Sequence, residues 1–341
     1  MIMKKILYFL MPFLCMGLVG CNDDDSPVGE SILNIKSADL DFTAVGGEGS
    51  IIVDGYGTIS AASDKDWCTV SVDGMTIHVT VAESQEITSR TALITISTGT
   101  DSREVPVVQS GALATLGNEP TLHVFGYDGG TFEYSFKSNV GYTVEIPEDA
   151  KSWISYVEDT EEEADGWTRL VFTASVNATG TLRGAKILFS TGGKETSFVV
   201  LEMEEADLLG TWDCSYTSPA DGEHSGKVEI VKSQDGLMMM SELSMGTFIP
   251  VAFSNGQFAV LGGQLIGTYG MYYVITGTVQ NGDLIFGGQC VADFSVDDGR
   301  VVIKVGDSFS YFGLWAINPS TMQSAGYLEQ YIDFILSKQM Q

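Results

Sequence analysis

Through residues 32–112, apolar and polar residues alternate one by one in short runs separated by Gly, Asp and Ser. Examples are Asp39-Leu40-Asp41-Phe42, Ile77-His78-Val79-Thr80-Val81 and Ala92-Leu93-Ile94-Thr95-Ile96. Successive side chains of a strand point to opposite faces, so a period of two buries one face and wets the other. A helix, with its period of 3.6, gains nothing from such a pattern. Runs this short at this spacing predict a β-sandwich. Residues 113–204 repeat the plan. Gly46-Gly47 corresponds to Gly129-Gly130, Trp67 to Trp153, Arg90-Thr91-Ala92-Leu93-Ile94 to Arg183-Gly184-Ala185-Lys186-Ile187, and Ser97-Thr98-Gly99 to Ser190-Thr191-Gly192. A repeat of roughly 85–90 residues is a duplicated domain, not a solenoid unit.

Residues 205–341 are punctuated differently. Asp235-Gly236, Asn255-Gly256, Asn281-Gly282 and Asp298-Gly299 separate strand-like runs, and such pairs tolerate the positive φ angles of type I′ hairpin turns. Hairpins in succession form a meander, and enough of them close most simply into an antiparallel barrel. Near the end, Ala325, Leu328, Ile332, Ile335 and Leu336 recur at helical spacing with Tyr331 alongside. This predicts one C-terminal amphipathic helix packed on the barrel. The fold class expected is all-β: two tandem immunoglobulin-like β-sandwiches, then an antiparallel barrel with one C-terminal helix.

Charge narrows the function classes. The chain carries 45 Asp+Glu against 17 Lys+Arg, a formal net charge of −28. Phosphate neutralisation needs clustered Lys and Arg, so nucleic acid is excluded as a partner of a basic face. Three His in 341 residues leave little material for His-based catalysis or metal ligation. His78, His123 and His224 lie in different segments, with no HExxH and no Cys/His pair at ligand spacing. No nucleophile elbow or phosphate-cradling loop occurs in a strand–turn–helix context. The acidic run Glu161-Glu162-Glu163 with Asp165 reads as a solvated loop, with a calcium site there or at Asp297-Asp298-Gly299 as the other reading. No enzyme activity, cofactor or metal is expected.

At the N-terminus, Lys4 and Lys5 precede an apolar stretch, Ile6 to Val19, followed by Gly20 and Cys21. This is the layout of a secretory signal, too short for a membrane span. Leu18-Val19-Gly20-Cys21 resembles the lipobox of bacterial lipoproteins. The resemblance implies cleavage after residue 20 and lipidation of Cys21, so the membrane is reached through a lipid anchor only. Residues 21–31 form an acidic tether that cannot pack. Asp23-Asp24-Asp25 is similar to the export run of Bacteroidetes lipoproteins, which implies an outer-membrane location facing the exterior. A plain spacer facing the periplasm is the alternative.

Residues 32–112 resemble the BACON (Bacteroidetes-associated, carbohydrate-binding, often N-terminal) family. The resemblance rests on Gly46-Gly47, Trp67, Arg90-Thr91-Ala92-Leu93-Ile94 and the ending Gln109-Ser110-Gly111. Residues 113–204 look like a divergent copy that keeps Ser152-Trp153-Ile154 but ends Val199-Val200-Leu201-Glu202 without Gln-x-Gly. Gly210-Thr211-Trp212 is similar to the first-strand Gly-x-Trp of lipocalin-like barrels. The BACON resemblance implies binding of carbohydrate or host glycan; the alternative makes these modules spacers presenting a barrel that holds a small apolar ligand or a protein partner. Sugar rings stack on exposed aromatics, which singles out Trp167 after the acidic run and Tyr272 as a candidate lumen residue of a barrel strand. Trp67 and Trp153, at equivalent places, read as core, and Trp212 as a plug at the barrel base. Cys214 and Cys290 share the last domain and are a possible disulfide; Cys68 has no candidate partner in its module.

Overall fold

The computed structural model describes residues 33–99, 101–159, 166–241 and 246–340. Cys21, the signal and tether segments and Glu161–Glu163 lie outside these residues. The described chain is almost entirely strand.

The first module comprises β1 (Leu33–Asp39), β2 (Asp41–Phe42), β3 (Gly47–Gly55), β4 (Ser60–Ser63), β5 (Cys68–Asp73), β6 (Thr76–Val81), β7 (Arg90–Ser97) and β8 (Ser102–Gln109). They form two four-stranded sheets, β1-β3-β6-β5 and β2-β8-β7-β4. The alternation predicted from sequence is what fills the space between them: Ile51, Val53, Ile77, Val79, Ile94 and Ile96 share one buried, largely aliphatic cluster.

The second module comprises β9 (Ala114–Leu116), β10 (Leu122–Phe125), β11 (Gly130–Ser138), β12 (Tyr142–Glu145), β13 (Ile154–Asp159), β14 (Thr168–Ala174), β15 (Arg183–Thr191) and β16 (Lys194–Glu202). Its sheets run β10-β16-β15-β12 and β13-β14-β11-β9. Here the core is aromatic, with Phe132, Phe136, Phe172, Phe189 and Phe198 buried together.

The duplication is visible bond by bond. Gly46 N donates to Thr43 O as Gly129 N donates to Gly126 O; Ser84 N to Ala44 O as Asn177 N to Tyr127 O. Ala82 N donates to Trp67 O as Ser175 N donates to Trp153 O, and Ser110 N to Phe42 O as Met203 N to Phe125 O. The equivalent tryptophans each lie under the equivalent arginine, Arg90 at 4.3 Å from the Trp67 ring and Arg183 at 4.4 Å from Trp153. Trp153 is buried in the core, whereas Trp67 is half-buried at its edge.

The last unit begins with a short helix, α1 (Glu205–Leu208), followed by β17 (Gly210–Ser218), β18 (Gly222–Lys232), β19 (Met238–Ser241), β20 (Phe248–Ser254), β21 (Gln257–Leu261), β22 (Leu265–Tyr269), β23 (Tyr272–Gln280), β24 (Asp283–Ile285), β25 (Gln289–Asp297), β26 (Arg300–Val305), β27 (Ser310–Ile317) and β28 (Ser324–Gln339). Eight strands, β17-β18-β19-β20-β21-β25-β26-β28, close on themselves through pairing of β28 with β17. Three Asx-Gly pairs have both residues in the left-handed region, with φ of 51° and 72° at Asn255-Gly256, as type I′ turns require. At Asp235-Gly236 only the glycine does so.

The expected C-terminal helix is instead β28, the strand that closes the barrel. Glu329 and Tyr331 are buried on one phase of the alternation, Phe334 and Leu336 on the other. The phase slips at Asp333, whose φ is 49°. A bulge between two period-two runs spaces buried residues by three, and that spacing imitates a helix.

Strand β27 pairs with β28 beyond the barrel and carries β23 and β22 outward as an extension. Tyr272 therefore does not line the barrel interior. The lumen is filled by side chains such as Trp212, Phe258 and Phe294, and Phe312 of β27 packs against the same cluster. Trp212 is fully buried, its Nε1 donating to Leu208 O at 2.7 Å. Lys338 Nζ lies 5.3 Å from the Trp212 ring and donates to Asp207 O and Leu209 O, shutting the barrel base.

The Cys214–Cys290 bridge is not formed; Cys68, Cys214 and Cys290 are all buried as thiols. Strands β17 and β25 are separated by β28 and β26, three spacings or about 14 Å along the wall, where a disulfide needs Cα atoms within about 7 Å.

Candidate functional site

A cleft of about 350 Å³ opens where the two modules meet. Its floor is the outer face of β12, β15 and β16. Register brings Thr143, Ser190 and Glu195 into one row across these strands, and alternation turns all three outward. Thr143 Oγ1 and Ser190 Oγ are hydrogen-bonded at 2.7 Å. Lys194 stands beside Glu195 at the strand start, both exposed. The opposite wall is Glu83 and Gln85 from the loop after β6.

Gln85 fixes the width of the cleft. Its Oε1 accepts Gly192 N at 2.7 Å, and its Nε2 donates to Gly141 O at 3.2 Å and to Glu83 Oε1 at 2.7 Å. One side chain thus ties the first module to the loop before β12 and to the β15–β16 turn of the second. The β15–β16 turn must be Gly192-Gly193 for this approach. Both residues have positive φ, and a Cβ on Gly192 would lie 2.8 Å from Ala114 Cβ. Nearby, Leu113 N donates to Asn139 Oδ1 at 2.8 Å and Asn139 N to Leu113 O at 3.1 Å.

Tyr142, the neighbour of Thr143 on β12, faces the other way, into the module's own aromatic core. Its ring packs edge-on to Phe136 at 4.9 Å, and its hydroxyl donates to Glu158 Oε2 at 2.8 Å. Burial first, then the hydrogen bond and charge of Glu158, push its phenol well above the usual range. It therefore stays a neutral donor at any physiological pH. Glu83, Glu195 and Lys194 offer acceptors and one cation, Thr143 and Ser190 hydroxyls. Convergent hydroxyls, carboxylates and one ammonium match the demands of a polyhydroxylated, uncharged ligand. Among the described residues no group of three His, Cys, Asp or Glu side chains comes together as a metal site.

Neither aromatic singled out from sequence lies here. Trp167 is half-buried just ahead of β14, on the other sheet of the second module, and Tyr272 is half-buried on the extension outside the barrel. Gln85, Tyr142, Lys194 and Glu195 carry no motif. Their one sequence signal is the Gly192-Gly193 pair after a repeated Ser-Thr, which marks a tight turn without saying what packs on it.

Two segments, residues 57–110 and 143–201, match a family described as "Putative binding domain, N-terminal", the BACON family. The chain is BACON-containing. The matches fall on both walls of the cleft, with Glu83 and Gln85 in the first and Thr143, Ser190, Lys194 and Glu195 in the second. No curated protein matches the chain. Among solved structures it is similar to an endo-fucoidan hydrolase from glycoside hydrolase family 107, with TM-score 0.28 and 11% identity over 54% of this chain. The chain spans 30% of that hydrolase. It is also similar to the I9–I11 tandem from titin, with TM-score 0.27 and 8% identity, covering 88% of this chain and 98% of that one.

Proposed function

We propose that this is a non-catalytic surface lipoprotein that binds carbohydrate in the cleft between its two BACON modules. The observation that supports this most is the convergence of both BACON-matching segments on one polar cleft. In this reading residues 1–20 are removed, Cys21 carries the lipid, and the acidic tether places the protein on the outer face of the outer membrane. The modules are tandem immunoglobulin-like sandwiches, and the barrel is lipocalin-like. Glu83 and Glu195 repel sulfate and carboxylate, so neutral glycans are preferred.

The test is a glycan array on the mature chain beside Lys194→Ala and Glu195→Gln. Both side chains are exposed, so the variants fold as the parent does. Loss of the array signal in both supports the cleft; undiminished binding moves the site elsewhere. A second reading makes the modules spacers that hold the barrel out to a protein partner. It draws on the exposed apolar side chains of the extension, with Leu265 60% and Tyr269 58% exposed. The filled lumen speaks against a small ligand inside the barrel.

A further inference from the structure

The equivalence of the two modules isolates one exchange. In the first, Gln109 is fully buried. Its Oε1 accepts from Arg90 Nε at 2.7 Å, and its Nε2 donates to the carbonyls of Thr43, Ala44 and Ala82 at 3.0–3.1 Å. An amide suits this place because it is acceptor on one side and donor on the other. In the second module Glu202 stands there. Phe125 pairs with Glu202 as Phe42 pairs with Gln109. Glu202 Oε2 accepts from Arg183 Nε at 2.5 Å, and Arg183 Nη2 reaches Ser175 O as Arg90 Nη2 reaches Ala82 O. The carbonyls of Gly126, Tyr127 and Ser175 are the counterparts of those that take the Gln109 amide. Glu202 is fully buried, and its Oε1 has no hydrogen-bond partner.

A carboxylate would turn a bare, charged oxygen toward the side where the first module needs a donor. We infer that Glu202 is carried as the neutral carboxylic acid, its Oε1 proton replacing the Gln109 amide, and that rising pH loosens the closing strand of the second module but not of the first. The charged groups around it divide. From β15, Arg183 favours the ionised form. The acids that follow on the chain, Glu204 after β16 and Asp207 in α1, are engaged by Tyr127 instead, whose N donates to Glu204 Oε1 and whose hydroxyl donates to Asp207 at 2.7 Å. Burial is the largest influence and raises the Glu202 carboxyl above the usual range, against the hydrogen bond and charge of Arg183.

The sign follows from linkage. A carboxyl whose pKa is raised by folding holds its proton longer in the folded state, so stability is full below the unfolded value, about 4.3, and falls as pH rises toward the folded value. One such proton changes the opening equilibrium up to tenfold per pH unit within that window. The loosened segment is placed to matter. Leu201, Met203 and Leu208, on either side of Glu202, are buried in the barrel's own cluster, so the seam between the second module and the barrel loosens with it.

The experiment is amide exchange on the full chain between pH 5 and 8, corrected for intrinsic rates, with carboxyl ¹³C NMR titration of Glu202. Protection of the 199–204 segment should fall several-fold with rising pH, while the 105–110 segment stays constant. Glu202→Gln should remove that dependence, and Gln109→Glu should create it in the first module. The Glu202 carboxyl should titrate above 4.3. A Glu202 resonance titrating below that value, or an unchanged pH dependence in Glu202→Gln, would overturn the inference.

Discussion

The two BACON modules share a hydrogen-bond frame and differ in nearly everything that fills it. In both, a tryptophan lies under an arginine, and the arginine donates to a buried residue at the end of the closing strand. Around that station the first module packs mainly Ile and Val and the second mainly Phe. What persists through the divergence is therefore the main-chain geometry set by the glycine turn and the Trp–Arg pair, while the core changes from aliphatic to aromatic. Their attachments differ as well. The first module meets its neighbour through polar bonds centred on Gln85, whereas the second contributes Leu182, Leu201 and Met203 to the barrel core.

The largest effect should come from the tryptophans. Trp153→Ala, in a closed aromatic core, should cost about 3–5 kcal/mol. Trp67→Ala, at a half-exposed edge, should cost less; equal losses in denaturant titrations would contradict the difference in burial. Next, Leu201→Ala should cost about 2–5 kcal/mol and should lower protection in the second module and the barrel together. Correspondingly, residues 113–341 should melt as one unit, and a 206–341 fragment, stripped of that apolar cover, should melt lower than the barrel does in the intact chain. A fragment with unchanged melting temperature would show that the seam contributes little. Smaller again, Gln85→Ala removes hydrogen bonds between modules, worth about 0.5–1.5 kcal/mol each. It should leave each module's protection intact while widening the angle distribution between them in small-angle scattering.

Legibility followed the range of the interactions. Period-two runs and Asx-Gly turns are local, so the strands and three type I′ hairpins could be read directly. The repeat of Trp67 and Arg90 as Trp153 and Arg183 pointed to a shared station, although not to the stacking of one on the other. What the sequence hid depends on distant chain. The bulge at Asp333 disguises β28 as a helix until β17 and β26 are present to pair with it. Residues 203–207, between β16 and β17, carry Met203 into the barrel core. The cleft escaped notice because its residues come from the outer face of one module and a loop of another, where no periodicity records contact.

The central claim is that the junction of the two modules holds a carbohydrate, and titration calorimetry tests it most directly. Take the neutral glycan giving the strongest array signal and titrate it into the intact chain, into Lys194→Ala and into the isolated first module, residues 32–112. Saturable binding to the intact chain, at least tenfold weaker in Lys194→Ala and lost in the isolated module, is the predicted result. Undiminished binding by the isolated first module would contradict the account, because half the cleft would then suffice.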